Sequence, residues 1–426
     1  MDENIKIPKL DCVLVDGGGV ASAQGFRAAG MHAGFKKAKN DLDLALVLAD
    51  EPCSAAGVFT KNIFCAAPVQ VSKAHLGGLG YGKAQAIIIN AGNANASSGA
   101  PGLATAQNST KLVADTLGCS AENVLVASTG VIGVPLPLEL FEENVDELVA
   151  SASSQGAHDA AQAIMTTDTQ AKEYALSFTS ADPDFAGKVF TVGGMAKGSG
   201  MIMPDMATMI AVLTTDAPVE PALLHAALKA AVNVSFNKVT VDSDTSTNDT
   251  CFIMASGKAI GSTSSSLIEE SDSVAYLELL EALSRVCTEL ARMIAIDGEG
   301  ATKLVTVKVG GAVSESDADL AARAVANSPL VKTAIFGHDA NWGRIAMAIG
   351  KSGAAFQQEK VSIDLLGLPV CRAGLSVPFD EDEALRRFEA AEITIDIDLG
   401  AGSAETTIWT CDLTHEYISI NGDYRS

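Results

Sequence analysis

Hydrophobic and polar residues alternate along this chain with two different periods. Apolar positions recur every three to four residues over 103–117, 138–151, 156–165, 222–232, 274–296 and 317–326, a spacing that predicts amphipathic helices. Gly118 follows the first of these, where a left-handed residue would close it. Short apolar runs, some alternating and some continuous, predict strands at 43–49, 56–60, 86–90, 123–127, 174–178 and 189–192. Further runs predict strands at 208–213, from 239 onward, and at 304–309, 331–336, 360–365, 392–397 and 406–411. An exposed loop is expected at 262–272. Strands and helices interleave over the whole length and strands lie on both sides of residue 208, so the expected class is α/β. Within it, 304–412 is a candidate smaller α/β subdomain.

One stretch stands apart from this pattern. Residues 197–217 read KGSGMIMPDMATMIAVLTTDA, and Lys197-Gly198-Ser199-Gly200 suits a mobile linker. Thr208 then opens the apolar run of a buried strand. Were the bond between Ala207 and Thr208 cut, Thr208 would carry a free α-amine beside its own hydroxyl, and that amine can serve as base for the nucleophile. On these residues alone, an ordinary loop entering a core strand is the favoured reading.

Composition narrows the classes. Apolar residues make up 48% of the 426 and charged residues 19%, proportions of a packed globular protein with a sizeable core. A formal net charge of -23 argues against nucleic acid or an anionic membrane as the main partner. No apolar run is long enough to span a bilayer. The first residues, Met1-Asp2-Glu3-Asn4, lack a signal-peptide core or an Arg-rich transit pattern. A cytoplasmic location is expected, with a mitochondrial or plastid matrix as the alternative if a transit peptide has been removed. The eight cysteines form no CxxC pair and the six histidines no HExxH, so reduced thiols and no metal are expected.

Several polar segments are candidates for chemistry. The Gly17-Gly18-Gly19 run lacks the order of a phosphate loop and reads as a turn. Asn90, Asn93 and Asn95 stand among small residues, where turn chemistry is the usual role. Thr129-Gly130 follows a predicted strand, a place from which backbone N–H groups can face a cleft. The cluster 166–169 is a helix exit or a substrate contact. Residues 239–250 are rich in hydroxyls and carboxylates without the spacing of a calcium loop. Glu299 lies between two glycines after the longest helical pattern.

Taken together, GFRAAG (25–30), AGVFTKN (56–62), NAGNANA (90–96), STGVIG (128–133), MTTDT (165–169), GGMAKGSGMIMPDMATM (193–209), DGEGATK (297–303), HDANWGRI (338–345) and the terminal INGDYRS resemble one family. It is the glutamate N-acetyltransferase / ornithine acetyltransferase family of arginine biosynthesis. The resemblance spans almost the whole chain in order and reverses the preference at Thr208. It implies self-cleavage between Ala207 and Thr208 into an α fragment, 1–207, and a β fragment, 208–426, that share one catalytic core.

Thr208 would then be the nucleophile, and Thr129 and Gly130 the pair that stabilises the oxyanion. Thr167, Lys197, Thr208, Glu299, Asn421 and Ser426 match substrate-binding positions, with Thr169 the close alternative to Thr167. Asn341, Trp342 and Arg344 are expected to support the fold. The implied fold is a layered αββα sandwich similar to N-terminal-nucleophile hydrolases but differently connected. The implied reaction moves acetyl from N2-acetyl-L-ornithine to L-glutamate through an acetyl-threonine. No cofactor is implied; acetyl-CoA is a candidate co-substrate, and an α2β2 heterotetramer the implied assembly. Asp205, Ala96-Ser97-Ser98 and the HDANW order depart from the family's usual pattern without removing a catalytic group. The rival readings are an N-terminal-nucleophile aminopeptidase or amidase, and an uncleaved binding protein.

Overall fold

The computed structural model of the protein describes residues 10–38, 40–203, 209–261 and 266–423. Its main sheet holds β1 (Cys12–Leu14), β2 (Phe26–Met31), β3 (Leu44–Phe59), β4 (Tyr81–Asn93), β5 (Val124–Val131), β6 (Lys172–Thr179), β7 (Val189–Lys197), β8 (Ile210–Thr215) and β9 (Thr250–Ala255). The order is β1-β6-β7-β8-β9-β3-β4-β5, with β2 pairing β3 beside it. β8 is parallel to β9 and β5 parallel to β4, while the other neighbours are antiparallel.

The long strand β3 explains how one sheet makes two layers. Its ladder with β4 is irregular between Leu48 and Cys53; the first half pairs β2, and the second half pairs β9. The sheet turns over on itself at that point. Val47, Ile87, Ile89 and Leu125 of one half then pack in the same core as Ile210, Val212, Phe252 and Met254 of the other. Alternate residues of each half face outward into helices. Ala211, Leu213, Cys251 and Ile253 meet α5 (Pro221–Val234) and α6 (Val274–Ile296). Leu46, Ile88 and Val126 meet α1 (Ala67–His75), α2 (Gly99–Leu117) and α3 (Glu139–Ser151). Helix, sheet, sheet, helix is the αββα layering that the resemblance implied. A strand buried on both faces loses period-two polarity, which is why β8 reads as a continuous apolar run.

The short helix α4 (Ala157–Ala163) fills the space beside β2. A second sheet, in the order β13-β12-β11-β14-β10-β15, comprises β10 (Leu304–Ala312), β11 (Ser362–Leu365), β12 (Leu368–Arg372), β13 (Leu375–Ser376), β14 (Glu392–Asp398) and β15 (Ala404–Cys411). It shares a core with α7 (Glu315–Ala326), α8 (Pro329–Phe336) and α9 (Trp342–Gly350), and with Phe388 at the end of α10 (Glu381–Arg387). The chain then forms α11 (His415–Asp423), a helix without a buried residue.

Several expectations need correction. Residues 331–336 form α8 and not a strand: Pro329 occupies the first turn and the Ser328 hydroxyl accepts from Val331 N, so the helix is started despite its β-branched content. The strand expected from 239 reduces to a single bridge between Val239 and Trp409, whereas β9, a fully buried strand, begins eleven residues later at Thr250. The strands expected at 43–49 and 56–60 are two halves of β3. By contrast, α6 spans the predicted 274–296, with Ser273 accepting from Tyr276 N as its cap. Gly118 does close α2 in the left-handed region, at φ 70°. Among the described residues no helix is long and apolar enough to cross a membrane.

The packing makes a controlled comparison available. Leu290, fully buried on α6, and Leu320, 44% exposed on α7, present the same chemistry in opposite surroundings. Leu290→Ala should cost about 2–5 kcal/mol of unfolding free energy, and Leu320→Ala about 0.5 kcal/mol or less. Chemical denaturation of the two variants checks the difference.

Candidate active site

Strand ends from both layers converge on one cavity. β5 delivers Thr129 and Gly130, β7 delivers Lys197, β8 delivers Ile210 with Met209 before it, and Asp249 precedes β9. Glu299 arrives from the turn after α6 and Asn421 from α11. Thr167 completes the sequence-derived set at its wall. Ala207, Thr208 and Ser426 lie outside the described residues.

Gly130 cannot be replaced by a residue with a side chain. It has φ +127°, and a Cβ built on it would lie 2.3 Å from the Gly92 carbonyl carbon on β4. Asn248 holds the same corner from the other side, its amide donating to Ala94 O at 2.5 Å and Ser128 O at 2.8 Å. The asparagines of 90–96 are likewise structural. Asn90 accepts from the Ser128 hydroxyl, Asn93 donates to Val134 O and Pro135 O, and Asn95 donates to Gly102 O. The 338–345 segment also serves the fold, Asn341 capping α9 and Arg344 reaching Leu330 O at 2.7 Å.

The electrostatic foundation is a cluster that the sequence did not advertise. Lys172, at the start of β6, is buried and places Nζ 2.6 Å from both Asp168 Oδ1 and Asp297 Oδ2. Asp168 also accepts from Gly198 N at 2.7 Å and Thr166 N at 3.0 Å, and its Oδ2 lies 4.0 Å from Lys197 Nζ. Burial alone would raise the Asp168 carboxyl, but the Lys197 and Lys172 ammonium groups outweigh it and hold the acid well below the usual carboxylate range. Burial pushes the Lys197 ammonium down, opposed mainly by Asp168. Thr169 is spent on this cluster, its N–H 3.1 Å from Asp297 Oδ2 and its hydroxyl on Oδ1, whereas Thr167, with Thr166 beside it, lines the cavity.

The 197–200 segment is therefore not the mobile linker expected. Lys197 and Ser199 are buried, Gly198 N is bound by Asp168, and the Ser199 hydroxyl donates to Asp297 O at 2.7 Å. Small residues are needed here for close approach. A Cβ on Gly200 would sit 2.3 Å from the Glu299 carboxyl carbon. Glu299 Oε2 in turn accepts from Asn421 Nδ2 at 2.7 Å, which ties α11 to the cavity. A second tie runs from the Tyr417 hydroxyl to Asp242 Oδ2 at 3.4 Å; burial first, then the Asp242 charge, pushes that phenol up.

Sequence reasoning missed Asp168, Lys172, Asp297 and Asp249 as members of the site. The signal available was local, the polar cluster at 166–169 and the carboxylate-rich 239–250, but nothing in it paired Lys172 with an acid 125 residues away. Among the described residues, no three His, Cys, Asp or Glu side chains are grouped as a metal ion would need.

The ArgJ family profile matches residues 27–426 of this chain. The arginine biosynthesis bifunctional protein ArgJ of Chlorobaculum tepidum is 49% identical, over 95% of this chain and 96% of its own length. Its namesake from Symbiobacterium thermophilum is 46% identical, over 96% and 99%. Among solved structures, the arginine biosynthesis bifunctional protein argJ of Bacillus halodurans aligns with 40% identity and a TM-score of 0.47, covering 50% of this chain and 97% of that one.

Removing the central cation should leave two buried carboxylates facing one another. Lys172→Met is expected to lose about 3–5 kcal/mol of stability, read from urea unfolding at neutral pH. Because the Asp168 carboxyl is depressed in the fold, its stabilisation is complete above the ordinary carboxylate range, about pH 4, and is lost as pH falls through the lower native value. Wild-type stability should therefore drop as the solution is acidified below about pH 4, and Asp168→Asn should flatten that part of the curve.

Proposed function

The chain belongs to the ArgJ family, acetyltransferases of arginine biosynthesis, and from that premise we propose an enzyme that cuts itself between Ala207 and Thr208 and then carries acetyl on Thr208. The donor is N2-acetyl-L-ornithine and the acceptor L-glutamate. One observation supports this reading above the others. Thr129, Gly130, Thr167, Lys197, Glu299 and Asn421, scattered over most of the sequence, line the same cavity as Met209, the residue next to Thr208.

The chemistry follows from the groups. Thr208 Oγ attacks the acetyl carbonyl while its proton passes to the adjacent α-amine. Such an amine has an ordinary pKa of about 7.7–8.0, so a useful fraction is neutral near pH 7. The Thr129 hydroxyl and the Gly130 N–H receive the charge that develops on the carbonyl oxygen. Ornithine departs with the proton, glutamate enters as a neutral amine, and the acetyl-threonine ester is resolved in reverse. Lys197 meets the α-carboxylate common to donor and acceptor as a point charge. Glu299, steadied by Asn421, meets the side-chain ammonium of ornithine.

The cut fragments stay together because the sheet joins them. β8 follows the cut yet is hydrogen-bonded to β7, which precedes it, from Val192–Thr215 to Lys197–Ile210. On this reading the mature protein is a complex of both fragments, assembled as an α2β2 heterotetramer, and size-exclusion chromatography with light scattering tests that mass.

A denaturing gel of the purified protein should show pieces of 207 and 219 residues. Thr208→Ala should remain whole and transfer no label from acetylornithine to glutamate. Thr129→Val should slow transfer about 10²–10³-fold. Full activity in an uncut Thr208→Ala protein would overturn the nucleophile, and release of free acetate in place of acetylglutamate would point to a hydrolase. Acetyl-CoA offered beside acetylornithine decides whether it is a second donor.

A further inference from the structure

The hydroxyl- and carboxylate-rich loop before β9 contributes Ser246, Thr247, Asn248 and Asp249 to the cavity, and acetyl transfer as described uses none of them. Asn248 is committed to the backbone of the neighbouring turns. Asp249 is not so easily accounted for. Its backbone carbonyl accepts from Thr60 N at 2.9 Å, and the residue is only 2% exposed. One carboxyl oxygen, Oδ2, has no hydrogen-bond partner among the described residues. An orphaned acceptor of this kind is costly and calls for a use.

Its position supplies one. β8 and β9 are parallel with Ile210 opposite Thr250, and Thr250 N donates to Met209 O at 3.0 Å, so Asp249 lies beside Met209. The Met209 backbone and Ser246 face the Asp249 carboxyl and favour its charged form. Met209 N belongs to the peptide bond that follows Thr208. Asp249 is therefore placed against the first peptide unit after the proposed cut, with one oxygen left over.

The uncut chain needs such a group. Before cleavage the nitrogen of Thr208 is an amide and has no basicity, so the amine that serves the mature enzyme does not yet exist. We propose that the Asp249 carboxylate takes the Thr208 hydroxyl proton during self-cleavage and returns it to the departing nitrogen. This rests on the self-cleaving reading given above.

The steps balance. The proton of Oγ–H passes to Asp249, and Oγ forms a bond to the Ala207 carbonyl carbon. The bond from that carbon to the Thr208 nitrogen breaks, its electron pair stays on nitrogen, and the proton held by Asp249 completes the amine. The product is an ester of Ala207 on Thr208 Oγ. Water opens the ester to the Ala207 carboxyl group and the free Thr208 hydroxyl, and Asp249 ends as it began.

Burial pushes the Asp249 carboxyl well above the ordinary range, with the Lys197 ammonium partly opposing it. Lys197 comes from β7, Asp168 and Lys172 stand behind it, and Glu299 acts on it as well. A raised acid holds its proton at low pH and becomes a base only as pH climbs through its own value. Cleavage of the precursor should accordingly speed up with rising pH and level off once Asp249 is ionised.

The test follows the freshly synthesised full chain on denaturing gels across pH, for wild type, Asp249→Asn, Asp249→Glu and Thr208→Ala. Asp249→Asn should cut at least about 100-fold more slowly and lose the pH dependence, while Asp249→Glu should recover cutting with a displaced pH profile. Hydroxylamine, which opens esters, should not split the Asp249→Asn precursor, because no ester has formed. Thermal unfolding of that precursor beside the equally uncut Thr208→Ala controls for folding; if Asp249→Asn is unfolded, recovery in Asp249→Glu decides. Cutting of Asp249→Asn within about threefold of wild type, ready scission of its precursor by hydroxylamine, or failure of Asp249→Glu to recover any cutting would overturn the proposal. A wild-type chain that stays whole would overturn the self-cleaving reading itself, a separate result.

Discussion

The site depends on one buried ammonium. Lys172 Nζ sits 2.6 Å from a carboxylate oxygen of Asp168 and of Asp297, and none of the three side chains reaches solvent to any useful extent. Taking such charges out of water is costly and is offset only when nearly every lone pair is used. Here Asp168 also binds Gly198 N and Thr166 N, and Asp297 also binds Thr169. The same ions therefore fix the 166–169 segment, the end of β7 and the turn after α6, the three places that present Thr167, Lys197 and Glu299.

That cluster also bridges the two sides of the proposed cut. Asp168 and Lys172 precede it and Asp297 follows it, so a charge network and a shared sheet both cross the junction. Each would have to be dismantled to separate the fragments, and a buried ion pair resists losing one partner far more than an exposed one does. In an acidic chain, with formal net charge -23, Lys197 places a cation at the cavity wall, between the Asp249 and Glu299 that also line it.

Two kinds of constraint meet at the cavity. Backbone proximity dictates small residues, as at Gly130 against Gly92 and Gly200 against Glu299. Desolvation shifts acids and bases toward neutrality, Asp249 upward and Lys197 downward, unless a partner resists. Asp168 has such partners and its carboxyl is held low; Asp249 has an unused oxygen and its carboxyl is pushed up. Two aspartates near one lysine thus acquire different chemistry from their surroundings alone.

The sequence by itself determined the elements whose periodicity is strong and local. The boundaries of α6 and the closure of α2 by Gly118 were legible because a three-to-four repeat over many turns, and a left-handed glycine, leave little alternative. The αββα class and the Thr167 position at the cavity came from motif resemblance, not from periodicity. Short apolar segments were not legible: 331–336 has strand-like residues, yet Pro329 and the Ser328 cap make it α8, and β9 lacks any polar alternation because both its faces are covered. Only the tertiary structure decided that Lys172 pairs with Asp297, that Asp249 lies beside Met209, and that α11 reaches Glu299 through Asn421. Those contacts join residues far apart in the chain, and their existence depends on where the sheet turns over at β3, which no local pattern records.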